Sequence, residues 1–125
     1  MNKNSRRGFG SEAEELAAVY LERKGYEILE RGYYFGHKEI DIICRTENTI
    51  VFVEVKATRT DKFGEPQEWV TKSKQKNIII AAQGYIQEHD VSGCDFRFDV
   101  IAYSRIKNDV RLNHLESAFY AEENP

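Results

Sequence analysis

The sequence predicts an α/β domain, a mixed β-sheet flanked by helices, with elements in the order α-β-β-β-α-β and a further weak strand at the end. Three observations predict it. Two β-branched, apolar segments, KEIDIICR (38–45) and TIVFVEVKA (49–57), are separated only by a short polar stretch. Two other segments, 11–24 and 71–89, repeat their apolar residues at helical spacing. A third strand-like run, DFRFDVIAY (95–103), follows the second of these helices.

The first helix is expected over 11–24, where Ser11 and Glu14 make an S-x-x-E capping box and Ala13, Leu16, Ala17, Tyr20 and Leu21 share a stripe. Gly25 ends it. Residues 26–35 (YEILERGYYF) are aromatic and mildly alternating, which predicts a first strand broken at Gly32. The two apolar segments then form a β-hairpin turning on Glu47 and Asn48. The loop from Thr58 to Val70 holds Gly64, Pro66 and several charges and is expected to be mobile. In the second helix Gln75, Ile78, Ile79, Ala82, Tyr85 and Ile86 form one stripe, and Lys72 and Lys76 stack on another. A weak strand near 109–115 completes the sheet.

At 125 residues the chain is expected to form one domain spanning 1–125, with flexible ends at about 1–8 and 118–125. Such a chain buries enough surface to fold without disulfides or a structural metal, so a metal here would be functional. No apolar run reaches membrane-spanning length and the N-terminus has no signal-peptide core, which predicts a cytoplasmic protein with no membrane partner. Cys44 and Cys94 lack metal-ligand spacing and read as reduced core thiols. The net charge of -3 excludes a protein that coats nucleic acid by bulk electrostatics, but not one that gathers carboxylates around a cation. The basic residues cluster at Lys3/Arg6/Arg7, Arg59/Lys62 and Lys72/Lys74/Lys76. No phosphate loop, nucleophile elbow, H-E-x-x-H pair or dinucleotide fingerprint is present, so no nucleotide cofactor is expected.

The hairpin carries the chemistry. If it turns on Glu47 and Asn48, Thr46 faces Thr49, Asp41 falls opposite Glu54, and Glu39 falls opposite Lys56, all four on one face of the sheet. A Glu39–Lys56 ion pair is ordinary in an antiparallel sheet. Opposed carboxylates among Ile40, Ile42, Val53 and Val55 are not, because desolvation adds to their repulsion. A hard divalent cation, Mg²⁺ or Mn²⁺, offsets that cost with Asp41, Glu54 and the backbone carbonyl of Val55 as ligands. Lys56 then orients or helps deprotonate a water at the ion, which points to phosphodiester hydrolysis.

EID at 39–41 followed by VEVK at 53–56 resembles the D-x(n)-E-x-K signature of the PD-(D/E)xK nuclease superfamily, which includes restriction enzymes, RecB-type exonucleases and archaeal Holliday junction resolvases. A wider set of segments, G-x-x-x-E at Gly10–Glu14, AAVYLERKGYEIL, EIDII, VFVEVKATR, VTKSKQ and RFDVIA, resembles the YraN-like family of uncharacterised bacterial proteins over nearly the whole chain. The resemblance implies a restriction-endonuclease-like core. Ala13 and Lys38 depart from it, standing where that family usually has Gly.

By the same resemblance Glu14 matches the first-helix acid near the metal of resolvase-like nucleases, although a capping-box role would explain it equally well. Lys74 and Gln75 match the second-helix motif, offering a phosphate contact or a hydrogen bond to Lys56; Lys72, Lys74 and Lys76 are alternatively a solvated helix face. Arg59, Lys62, Phe63 and Trp69 suit gripping of a nucleic-acid backbone and stacking on bases, or else two aromatic anchors of a polar loop. Asp99 reads as structurally satisfied and His37 as an exposed loop residue.

The function expected is a divalent-metal-dependent DNA endonuclease, structure-selective for junction or branched DNA. A non-catalytic nucleic-acid-binding or recombination accessory protein on the same fold is the alternative, and a protein-binding module a third reading. A homodimer would suit symmetric junction cleavage.

Overall fold

A computed structural model of the chain describes residues 9–59 and 69–121. Lys3, Arg6, Arg7, Lys62 and Phe63 lie outside the described residues, as do 1–8, 60–68 and 122–125. The elements are α1 (Phe9–Arg23), β1 (Glu27–Phe35), β2 (Lys38–Thr46), β3 (Thr49–Thr58), α2 (Lys72–Glu88), β4 (Asp95–Ile106) and β5 (Asp109–Phe119). The strands form one sheet in the order β1-β2-β3-β4-β5, parallel between β3 and β4 and antiparallel elsewhere. A parallel pair cannot be closed by a tight turn, and α2 lies in the long connection that joins β3 to β4.

The central strand explains why the hairpin sequences read as unbroken apolar runs rather than alternating ones. Ile50 and Phe52 of β3 pack with Ile78, Ile79, Ala82 and Tyr85 of α2. Val51, Val53 and Val55 pack with Ala13, Ala17 and Leu21 of α1. The helices therefore cover opposite faces, and a strand buried on both faces is apolar at nearly every position.

α1 begins at Phe9, so Ser11 is its third residue and not its cap. The capping-box explanation of Glu14 accordingly fails; Glu14 is 7% exposed on the sheet-facing side with Ala17, Ala18 and Leu21. Ala13, at one of the positions that depart from the family pattern, is fully buried there. At the other end Tyr26 N–H donates to Leu21 O and Gly25 N–H to Glu22 O, both at 3.0 Å, with Gly25 at φ +95. This is the Schellman closure that only a residue at ease with positive φ completes cheaply. α2 starts where predicted: Thr71 is its N-cap and accepts the Lys74 N–H at 3.1 Å.

β1 runs unbroken through Gly32, but the expected interruption has a counterpart. Arg31 pairs with Ile42 and Tyr33 with Ile40. Ile42 belongs to the α1-side core and Ile40 to the α2-side core, although residues two apart on a strand should share a face. Both strands thus change faces across the Gly32–Asp41 level, where Gly32 has φ +68. β4 and β5 each run past the expected 95–103 and 109–115, and β5 ends on the buried Phe119 after a register slip opposite Asp99.

Candidate metal centre

The predicted hairpin register is observed from Thr46↔Thr49 to Ile42↔Val53. One step further, at the level of Asp41 and Glu54, the ladder ends. Residues 38–40 of β2 stay paired with β1 and residues 54–58 of β3 with β4, so the sheet opens as a fork between them. The expected Asp41–Glu54 and Glu39–Lys56 pairings are therefore not made: all four residues stand at or beyond this point, where β2 and β3 are no longer ladder partners.

Asp41 occupies the fork. It is 4% exposed, and its Oδ2 accepts the Val55 N–H at 2.8 Å, replacing the backbone acceptor that a continued ladder would have supplied. The N–H and C=O of a strand residue point to the same edge, so the Val55 carbonyl opens on the same gap. A carboxylate offers about four lone-pair sites, so the bond to Val55 does not exhaust Asp41.

Glu54 projects from β3 toward α2. Its side chain is 15% exposed, its Oε2 lies 3.8 Å from Lys74 Nζ, and its Oε1 is shut off from solvent. Lys56, two residues on and hence on the same side of β3, is exposed. Glu14 comes from α1, on the opposite face. Among the described residues no group of three or more His, Cys, Asp or Glu side chains converges on a metal position. The candidate ligands at the fork are two carboxylates, Asp41 and Glu54, and the Val55 peptide oxygen. An all-oxygen set of that size fits Mg²⁺ or Mn²⁺, which take one or two carboxylates and retain waters.

The remaining predicted residues separate by what they touch. Gln75 is buried and its Nε2 donates to Val70 O at 3.0 Å, so it fixes the entry to α2 rather than facing solvent. Lys72, Lys76 and Arg59 are exposed. Trp69 is partly buried against the α2-side core, which supports its reading as an anchor over a base-stacking surface. His37 is exposed in the turn after β1. Both cysteines are free thiols, and burial pushes the Cys44 thiol up to about 12. A cleft of about 550 Å³ lies at the other end of β3 and β4, lined by Thr49, Phe96 and Tyr120 among others. It shares no residue with the fork, and its chemistry offers no carboxylate pair.

Sequence reasoning missed the partners of Asp99. Its carboxylate is fully buried and takes both Arg97 Nε and Nη2 (2.9 and 2.8 Å), His114 Nε2 (2.7 Å) and the Ser117 N–H (3.0 Å). Arg97 also donates to Tyr26 Oη at 2.7 Å, and His114 Nδ1 meets Tyr20 Oη at 2.9 Å. Burial pushes the Asp99 carboxyl up, but the hydrogen bonds from His114, Arg97 and Ser117 outweigh it and hold the group below its usual range. Arg97 and Asp99 are two apart on β4, and that i, i+2 charge pair was the available signal.

The family model described as "Uncharacterised protein family UPF0102" matches residues 13–103, which contain Glu14, Asp41, Glu54, Lys56 and Gln75. A UPF0102 protein of Chloroherpeton thalassium is 44% identical over 122 residues, covering 96% of this chain and 95% of its own. One from Caldicellulosiruptor saccharolyticus is 42% identical over 95% of this chain and 100% of its own. One from a Sulfurihydrogenibium species is 45% identical over 87% and 91% respectively.

Proposed function

The chain belongs to the uncharacterised protein family UPF0102, and from that premise and the forked hairpin we propose that it is a Mg²⁺- or Mn²⁺-dependent endonuclease that hydrolyses DNA phosphodiester bonds, selectively in junction or branched DNA. One observation carries the reading: Asp41 is pinned by Val55 N–H in the opening between β2 and β3, beside the residue pair Glu54–Val55. A buried carboxylate placed there at the cost of the ladder beyond Ile42–Val53 is explained by a ligand that needs it.

In this reading Asp41, Glu54 and the Val55 carbonyl hold the ion, which when bound supplies Lewis-acid stabilisation of the charge developing on the phosphate. Asp41 is already oriented by its hydrogen bond, so little reorganisation is required on binding. Lys56 stands on the Glu54 side of β3 and donates a hydrogen bond to the attacking water. Lys72, Lys74 and Arg59 supply exposed positive charge on which the DNA backbone rests, and Gln75 holds the first turn of α2 in place beneath it.

The test is cleavage of labelled linear, single-stranded, flap and four-way-junction DNA with Mg²⁺ or Mn²⁺, comparing wild type with Asp41→Asn and Glu54→Gln. Cleavage by wild type alone, abolished by chelator, supports the proposal and reveals the preferred DNA shape. No cleavage by any of the three, with DNA binding equal in all, would replace it with a non-catalytic nucleic-acid-binding role.

A further inference from the structure

Lys74 approaches Glu54 from the first turn of α2, with Nζ 3.8 Å from Oε2. The two side chains differ in setting: that of Glu54 is 15% exposed and that of Lys74 44%. The carboxylate is thus held inside while the ammonium stands at the solvent boundary. The backbone of Lys74 is fixed, since its N–H is capped by Thr71 and the neighbouring Gln75 amide is tied to Val70 O. What remains adjustable is the four-carbon stem, which can swing the charge through several ångströms without disturbing α2. The first turn of α2 contains no acidic residue to draw that charge elsewhere.

Resting on the metal reading above, we propose that Lys74 is an exchangeable counter-ion of Glu54: it neutralises the carboxylate in the metal-free protein, is displaced when a divalent cation enters, and passes to a phosphate of the bound DNA. An ammonium and a divalent cation repel, and they cannot both sit against one carboxylate without cost. Lys74 therefore weakens ion binding in the free protein. A DNA phosphate beside α2 draws the ammonium away and removes the competition, so DNA and ion bind with positive coupling, and by linkage each favours the other equally. The protein is then loaded with its ion preferentially when substrate is present.

The experiment is a titration of Mn²⁺, followed by the electron paramagnetic resonance signal of the free ion. It uses wild type, Lys74→Met, Lys74→Arg and Glu54→Gln, alone and with a phosphorothioate-substituted duplex that resists hydrolysis. Met keeps the stem at an exposed position, and far-UV circular dichroism verifies that the variants are folded. Lys74→Met is expected to bind Mn²⁺ roughly five- to twentyfold tighter than wild type without DNA, and Lys74→Arg within about twofold of wild type. The tightening that the duplex produces in wild type is expected to shrink in Lys74→Met. Equal or weaker Mn²⁺ binding by Lys74→Met, with wild type binding normally and Glu54→Gln not at all, would overturn this inference and leave the metal site standing. Failure of wild type itself to bind Mn²⁺ at millimolar concentration would overturn both.

Discussion

The Asp41 carboxylate accepts the Val55 N–H at the point where β2 and β3 separate, so one side chain both closes the sheet's hydrogen bonding and furnishes the proposed metal ligand. These two roles can be separated by mutation. Asp41→Asn retains an acceptor of the same shape and is expected to lose Mn²⁺ binding with little change in stability. Asp41→Ala leaves the buried Val55 N–H unmet and should cost about 1–3 kcal/mol in addition. Urea unfolding beside a Mn²⁺ titration of both variants tests this, and equal stability of the two would contradict the structural role.

Gly32 stands at the change of faces beside Asp41. At φ +68 a side chain is strained, so Gly32→Ala is expected to lose about 1 kcal/mol or more and to weaken Mn²⁺ binding by turning β2. Asn tolerates this region better, and Gly32→Asn should recover much of both losses. A Gly32→Ala variant with wild-type ion affinity would show that the kink is set elsewhere.

The Asp99 network gives a prediction with a defined pH window. Because the folded-state carboxyl is held below its ordinary value of 3.8, its contribution is present above that value and disappears as pH falls through the lowered one. Asp99→Asn strips Arg97 and His114 of their charged partner, and the cost near neutrality should be about 3–5 kcal/mol. The stability gap between wild type and Asp99→Asn, from urea unfolding at several pH values, should narrow toward acid. A gap that widened below pH 4 would refute the assignment.

Cys44 acts at the opposite end of the scale. Its thiol is raised from 9.0 to about 12 by burial, so the folded state keeps the proton longer than the unfolded chain does. The stability this represents is intact below about 9 and lost as pH rises toward about 12. Cys44→Val, which cannot titrate, is expected to lose less stability over that range, as read from denaturation midpoints.

Gly84 of α2 lies under the ring of Phe35: a Cβ there would stand 2.2 Å from the ring's Cδ1. Gly84→Ala should therefore destabilise by about 1–3 kcal/mol despite its better helix propensity, and Phe35→Ala should relieve much of that cost in the double variant. Additive losses in the cycle would show that the two residues do not interfere.

The parts of the fold that local chemistry decides were legible. The hairpin register as far as Ile42–Val53 followed from two apolar segments joined by Glu47 and Asn48, and the extent of α2 from the helical spacing of its apolar residues. The fork was not legible, because Ile40, Ile42 and Ile43 are all apolar and all buried, so the sequence carries no alternation from which a change of faces could be read. The start of α1 was misplaced for a related reason: S-x-x-E is a local pattern, whereas helix continuation back to Phe9 accompanies packing of Ala13 and Ala17 on the sheet. In β5 the positive φ of Ser117 and the slipped register opposite Asp99 break the period of two, which hid the strand's last residues and the His114–Asp99 contact together.

The double duty of Asp41 also constrains how such a protein can change over time. In the proposed reading, a lineage relieved of selection for catalysis could exchange Glu54 or Lys56 more readily than Asp41, whose carboxylate meets a backbone N–H of the sheet. At position 41 the fold itself demands an acceptor for Val55 N–H, and Asn is the one close-fitting substitute. On that reading, loss of the proposed activity in a relative would show first at positions 54 and 56, and an intact Asp41 alone would be no witness to it.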